Sequence, residues 1–226
     1  MDHLQIIVNS ICQEFEAKHA ARELVLQQSR DIIRQCANAI RATHRDEFDE
    51  VARLLAAARA VATAMHQAVV SYPDLYYAGY TQDALKELSE AHITYALVTG
   101  SEVPSPRDLQ VEASAYLNGL AEAVGELRRY VLDRLRRGDV ATGERLLAAM
   151  DDIYALLTTV DYPEAITGGL RRNTDMVRGV LERTRGDLTT ATRQEEMKRA
   201  LLAFSQRIGL AGEESASPYL AEADEV

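Results

Sequence analysis

Four glutamates are the residues of this sequence best placed to do chemistry. Glu87 and Glu90 lie in DALKELSEAHITYALV, and Glu122 and Glu126 in AYLNGLAEAVGELRRYVLDRLRRGD. At about 100° per residue, the i,i+3 spacing of the first pair and the i,i+4 spacing of the second each put two carboxylates on one side of a helix. Two such helices face to face would bring four carboxylates together. Around the first pair, Leu85, Leu88, Ala91, Ile93, Ala96, Leu97 and Val98 make the segment apolar nearly all round, the pattern of a buried helix. Carboxylates there are costly unless paired, hydrogen-bonded or metal-bound. The second pair lies opposite an apolar stripe of Leu109, Leu117, Leu120, Val124, Leu127, Val131 and Leu135, so on its own it reads as a solvated polar face.

A second group is basic. Arg30, Arg34, Arg41 and Arg45 fall within about 60° of one another on a helix. Arginine forks onto phosphate oxygens, so the stripe could track a nucleic-acid backbone; a solvated or ion-paired stripe is the commoner outcome of such spacing. His44 and His66 have no partner at ligand spacing and are expected to be surface or core histidines. The chain has no glycine-rich phosphate loop, no Cys/His zinc pattern and no Ser/His/Asp arrangement, so enzyme chemistry would have to come from the carboxylates.

The elements that must position these groups are helices. The 226 residues contain no Trp and five Pro, are rich in Ala and aliphatic side chains, and predict an all-α fold. Without a mid-chain linker, residues 1–208 are expected to form one domain, and the polar stretch 209–226 a flexible tail. The net charge of -10 argues against an all-over basic nucleic-acid binder and leaves room for a local basic face. Lysine occurs only at positions 18, 86 and 198, which suits a GC-rich genome or a high-salt cytoplasm. Cys12 and Cys36 are expected to be free thiols packed as small core residues. The sequence shows neither a signal-like N-terminus nor an apolar run of membrane length, so a cytoplasmic location and no membrane partner are expected.

In chain order, residues 3–44 lack Gly and Pro and predict one long helix or two nearly continuous ones. Asp46 is expected to open a second helix to about Val70. The tyrosine-rich YPDLYYAGY follows, its rings expected on the nearest helix more than on unpaired bases. The acid-bearing third helix ends in the break TGSEVPSP, where Ser105 is a candidate N-cap and Pro106 the first residue of a long fourth helix. The fifth is expected over Asp139 to Val160, the sixth over Glu164 to Arg185 and the seventh over Arg193 to Ile208.

Three segments, SRDIIRQCANAIRATHR, YLNGLAEAVGELRRYVLDRLRRGD and LRRNTDMVRGVLERTRGDL, resemble in order the translin family, which comprises translin and translin-associated factor X. The likeness runs from about residue 20 to 190 and implies a seven-helix bundle assembling into a closed, octamer-like homo-oligomeric shell around single-stranded RNA or DNA, alone or with a paralogous subunit. Glu87-Leu88-Ser89-Glu90 matches the Glu-x-x-Glu pair of the RNA-cleaving, translin-associated factor X-like branch. Glu122 to Glu126 resembles that branch's D-x-x-G-E element, with Glu122 where the family has Asp. The resemblance therefore implies a Mg²⁺-dependent (or Mn²⁺-dependent) endoribonuclease with Glu87, Glu90, Glu122 and Glu126 as ligands. Glu87, Glu90 and Glu126 would be the catalytic acids, and Arg30, Arg34, Arg41 and Arg45 the nucleic-acid track. A non-catalytic single-strand binding shell with structural acids, and a helical scaffold without nucleic acid, stay open beside it.

Overall fold

The computed structural model describes residues 2–208; the tail expected over 209–226 lies outside the described residues. These are helical throughout, without a strand, in the order α1 (Asp2–His44), α2 (Phe48–Val69), α3 (Pro73–Tyr76), α4 (Gly79–Thr99), α5 (Pro106–Leu109), α6 (Ala113–Arg136), α7 (Val140–Leu157), α8 (Glu164–Thr167) and α9 (Leu170–Arg207). Six long helices form the bundle and three single turns join them. None of the described helices is long and apolar enough to cross a membrane.

The long α1 has two halves of different character. From Val25 onward its buried residues recur at helical spacing through Ser29, Ile32, Cys36 and Ile40 to His44, where α2 and α4 cover it. Before that point cover is limited to Ala21, which packs on the core, and Lys18, which pairs with Asp74 at 2.6 Å; further toward the start Leu4, Ile6 and Phe15 remain exposed. Cys12 lies on this uncovered half and is exposed rather than packed, whereas Cys36 is buried; both are free thiols.

The α1–α2 turn corrects the expected role of Asp46. It does not cap α2, whose N-cap is Glu47, but sits in the turn with φ 62°. There its carboxylate accepts hydrogen bonds from Tyr130 (2.7 Å), Arg134 and Arg137 (3.1 Å), tying the turn to the end of α6. In the tyrosine-rich connection, Tyr72, Tyr76 and Tyr80 pack against the core and Tyr76 donates to Glu112 at 3.1 Å, while Tyr77 stays exposed.

The expected fourth helix is broken. Ser105 and Asp108 cap α5 reciprocally, but the turn ends after Leu109 with Gln110 in a left-handed conformation, and α6 starts afresh at Ala113. The break lets Leu109 and Val111 both bury beside α1 and α2. The segments expected as sixth and seventh helices instead run as the single α9. Gly168 and Gly169, both at positive φ, interrupt the chain before it, and no later residue up to Arg207 breaks it.

Two apolar clusters result. One unites α1, α2 and α4 around Ile32, Met65, Leu85 and Leu88; the other unites α6, α7 and α9 around Leu127, Leu146, Met150 and Leu181. The α4–α6 seam joins them. Gly119 makes that seam close: a Cβ there would lie 2.6 Å from the Lys86 carbonyl oxygen and 2.8 Å from Ser89 Cβ. Arg145 fixes the far end of α4 by donating to the Leu97 and Val98 carbonyls at 2.7 and 2.9 Å.

Candidate functional site

The seam carries the acids. α4 is buried on every side, as its sequence requires, so Glu87 and Glu90 cannot both turn to bulk water; they point toward α6, where Glu122 meets them. One carboxylate oxygen from each of Glu87, Glu90 and Glu122 lies within 4.8 Å of the others. Lys86 closes the group, its Nζ 2.9 and 2.8 Å from the two oxygens of Glu122 and 3.9 Å from Glu87. Glu126 turns elsewhere: its Oε2 is 2.5 Å from Nε2 of His44. His44, at the buried end of α1, needs a polar partner, and Glu126 is the one within reach.

Charge balance follows from this geometry. Three carboxylates face one ammonium, and Glu90 is the deepest of them, only 9% exposed. Burial, then repulsion by Glu87, Glu122 and Glu126, pushes its pKa up to about 8. Glu87 is also raised, chiefly by burial, although Lys86 pulls it back. Glu126 goes the other way, because the hydrogen bond with His44 holds its carboxyl below the usual range. At neutral pH Glu90 therefore keeps its proton, and the seam tolerates its acids by neutralising one of them.

Such a donor set fits a hard divalent cation. Three carboxylates from two rigid helices offer oxygen ligands and leave room for retained waters, the arrangement Mg²⁺ prefers. The position of the Lys86 ammonium marks the place where positive charge is stabilised. A site of this kind binds metal better as pH rises, since Glu90 must release its proton.

The basic stripe of α1 is elsewhere. Arg30, Arg34, Arg41 and Arg45 are all exposed, and they lie about 120–180° around the helix from Cys36, the α1 residue whose thiol feels Glu87 and Glu90. Arg34 pairs with Asp31 at 2.9 Å and Arg45 with Glu47 at 2.6 Å, while Arg41 bonds Asn38. Within one chain this stripe does not line the carboxylate seam.

Two participants escape a reading by spacing, His44 and Lys86. Lys86 left a signal: a lysine on a helix apolar nearly all round, adjacent to Glu87, must find an acid. His44 left none, because its partner is remote in sequence.

No family model matches the chain. An uncharacterized protein of Methanocaldococcus jannaschii is 31% identical over 219 residues, covering 91% of this chain and 92% of its own. The solved structures titled AfC3PO in complex with duplex RNA and AfC3PO alone align with TM-scores of 0.77 and 0.76 at 34% and 32% identity, each covering 83% of this chain and 97% of the other. Apo-NeC3PO shares the fold at TM-score 0.75 and 17% identity. The class is thus an all-α bundle of the C3PO type with a carboxylate seam between its two central helices. The chain belongs to the translin family.

Proposed function

We propose that this protein is a Mg²⁺-dependent endoribonuclease of the translin-associated factor X-like branch, acting on single-stranded RNA within a homo-oligomeric, octamer-like shell in the cytoplasm. The observation that carries the reading is the convergence of Glu87, Glu90 and Glu122 within 4.8 Å across the α4–α6 seam. Similarity to a chain solved with duplex RNA supports RNA as the polymer. The uncovered apolar residues of α1 and of the end of α9, among them Leu4, Phe15, Leu201 and Phe204, support assembly of several subunits. The free thiols of Cys12 and Cys36 support a reducing compartment.

Glu87, Glu90 and Glu122 would hold the ion. When bound, Mg²⁺ supplies a water of lowered pKa and stabilises charge on the scissile phosphate. The protein's own work is to fix three carboxylates on rigid helices, to surrender the Glu90 proton, and to swing Lys86 from Glu122 toward incoming phosphate. Glu126, held ionised by His44, stands next to the cluster as a candidate base or outer ligand.

A second reading is a non-catalytic shell that binds single-stranded RNA or DNA. Lys86 favours it, because its ammonium already satisfies Glu122 and part of Glu87 without a metal. Cleavage of a labelled unstructured RNA with Mg²⁺ or Mn²⁺, against EDTA and against a Glu87→Ala, Glu90→Ala double variant, separates the two. Cleavage that disappears in both controls is the expected result; binding without cleavage in either metal would sink the nuclease reading. Duplex RNA and single-stranded DNA of the same sequence serve as further arms. The solution mass of the protein purified alone shows whether it assembles without a paralogous subunit.

A further inference from the structure

The seam continues into a second feature along α6. Starting between Glu122 and Glu126, an open groove of about 510 Å³ runs along α6 over Gly125, Arg128, Arg129, Leu132, Asp133 and Arg136. Its three arginines have different roles. Arg128 is held in place, donating to Thr184 at 3.1 Å and pairing with Asp187 at 2.8 Å. Arg136 makes only a long contact with Asp133, at 3.5 Å, and is exposed. Arg129 is exposed and has no ion pair among the described residues, yet its charge is felt at Glu126. An uncommitted guanidinium beside a cluster of carboxylates is available to a ligand that carries negative charge.

Gly125 is the independent observation. In mid-helix it costs roughly 0.5–1 kcal/mol relative to Ala. No packing demand justifies it, because a Cβ built there would meet nothing within 4 Å. Its absent side chain instead leaves bare helix surface between the glutamates and the arginines, where a bulky chain could lie close to α6. From Arg129 to Arg136 the helix rises about 10 Å, the length of roughly three nucleotides of a helical strand.

We propose that this α6 groove, and not the arginine stripe of α1, seats the phosphodiester backbone of the RNA next to the carboxylate seam, with Arg129 and Arg136 as phosphate-positioning residues. The inference rests on the RNA reading above and extends it by naming the surface that aligns the strand. Arginine offers forked donors to phosphate oxygens without reading bases, so the groove fixes register along the strand and not sequence.

The test is equilibrium binding of a labelled unstructured RNA to the full chain in EDTA, over a range of salt, which separates seating from cleavage. Each lost phosphate contact lowers the log–log salt slope by about 0.7 and weakens binding about fivefold near 0.1 M salt. Arg129→Gln and Arg136→Gln should each show that loss, and their combination about the product. Gly125→Ala should weaken binding while its melting temperature stays level or rises, a pairing that damage to the fold would not give. Arg30→Gln with Arg34→Gln should leave affinity and salt slope as in the wild type. If the wild type binds and the α6 variants bind with unchanged slope, the groove assignment is overturned while the nuclease reading stands. If the wild type binds no RNA even at low salt, both fall together.

Discussion

Helix α6 carries an acid-centred site at each end, and the two are built on opposite principles. At its C-terminal end Asp46 is one carboxylate surrounded by donors, Tyr130, Arg134 and Arg137. Burial raises its pKa, but the hydrogen bonds and the cations more than offset this and hold it below the usual range. Toward its N-terminal end Glu122 joins Glu87 and Glu90, three carboxylates with Lys86 as their one cation. There burial and like charge act together, and Glu90 is pushed up to about 8. An acid with more donors than it needs holds a turn in place. Acids with fewer cations than they need are costly in the folded protein and become useful when a ligand brings positive charge.

The sharpest way to break this comparison is to neutralise one acid at each end. Glu90→Gln should lower cleavage by roughly 100-fold or more, at least what loss of a metal-supporting group costs, and should raise the melting temperature of the metal-free protein at pH 8. Asp46→Asn should do the reverse. Asn tolerates the positive φ at this position, so only the charge is removed. Stability should fall by about 1–3 kcal/mol, the scale of lost hydrogen bonds to a charged group, while cleavage below the melting transition persists. Thermal melts and cleavage assays on both variants check the contrast; if both lose stability and keep activity, the seam is structural like the turn.

The close approach that holds the acids together gives the next largest effect. Gly119→Ala would place a methyl 2.6 Å from the Lys86 carbonyl oxygen, which is backbone and cannot step aside. Overpacking of this kind costs about 1–3 kcal/mol, and relief by separating α4 from α6 would pull Glu122 away from Glu87 and Glu90. Metal affinity by calorimetry should therefore fall more than stability does. Gly125→Ala, six residues further along α6 in open space, is the control that should leave metal affinity unchanged.

Much of this was legible in the sequence, and the failures share a cause. Helical periodicity identified α4 as a buried helix with misplaced acids, because that rule is local; that Glu122 joins Glu87 and Glu90 depends on α6 facing α4, and its i,i+4 neighbour Glu126 turns to His44 instead of completing a group of four. The polar-face reading of Glu122 and Glu126 failed because the apolar stripe of α6 does not show that α4 covers its other side. Asp46 read as the opening residue of α2 because its partners, Tyr130, Arg134 and Arg137, are remote in sequence. The same remoteness hid the bond of His44 with Glu126. The α1 stripe follows the commoner reading of its spacing, exposed and partly ion-paired, with Arg34 on Asp31 and Arg45 on Glu47. Gly119 and Gly125 are alike in sequence, and only the packing separates a glycine that admits a neighbour from one that leaves a surface open.

The smallest effect, and the one that tests the electrostatic contrast most directly, is the dependence of stability on pH without metal. Glu90 has a folded pKa of about 8 against an ordinary value of 4.5. The folded state therefore binds its proton more tightly than the unfolded chain. Stability from this group is fully present below pH 4.5 and is lost as pH rises toward 8. Asp46, whose folded pKa is depressed, contributes stability present above its unfolded value and lost as pH falls through the folded one. The two ends of α6 thus tilt the stability profile in opposite directions. Chemical denaturation in EDTA between pH 5 and 8 should show a decline that Glu90→Gln flattens and Asp46→Asn leaves in place. Mg²⁺ should reverse the decline toward pH 8, because binding to the deprotonated cluster stabilises the folded state by mass action. A profile that is flat in the wild type, or that Mg²⁺ leaves unmoved at pH 8, would mean that Lys86 balances the seam by itself and that the acids are structural.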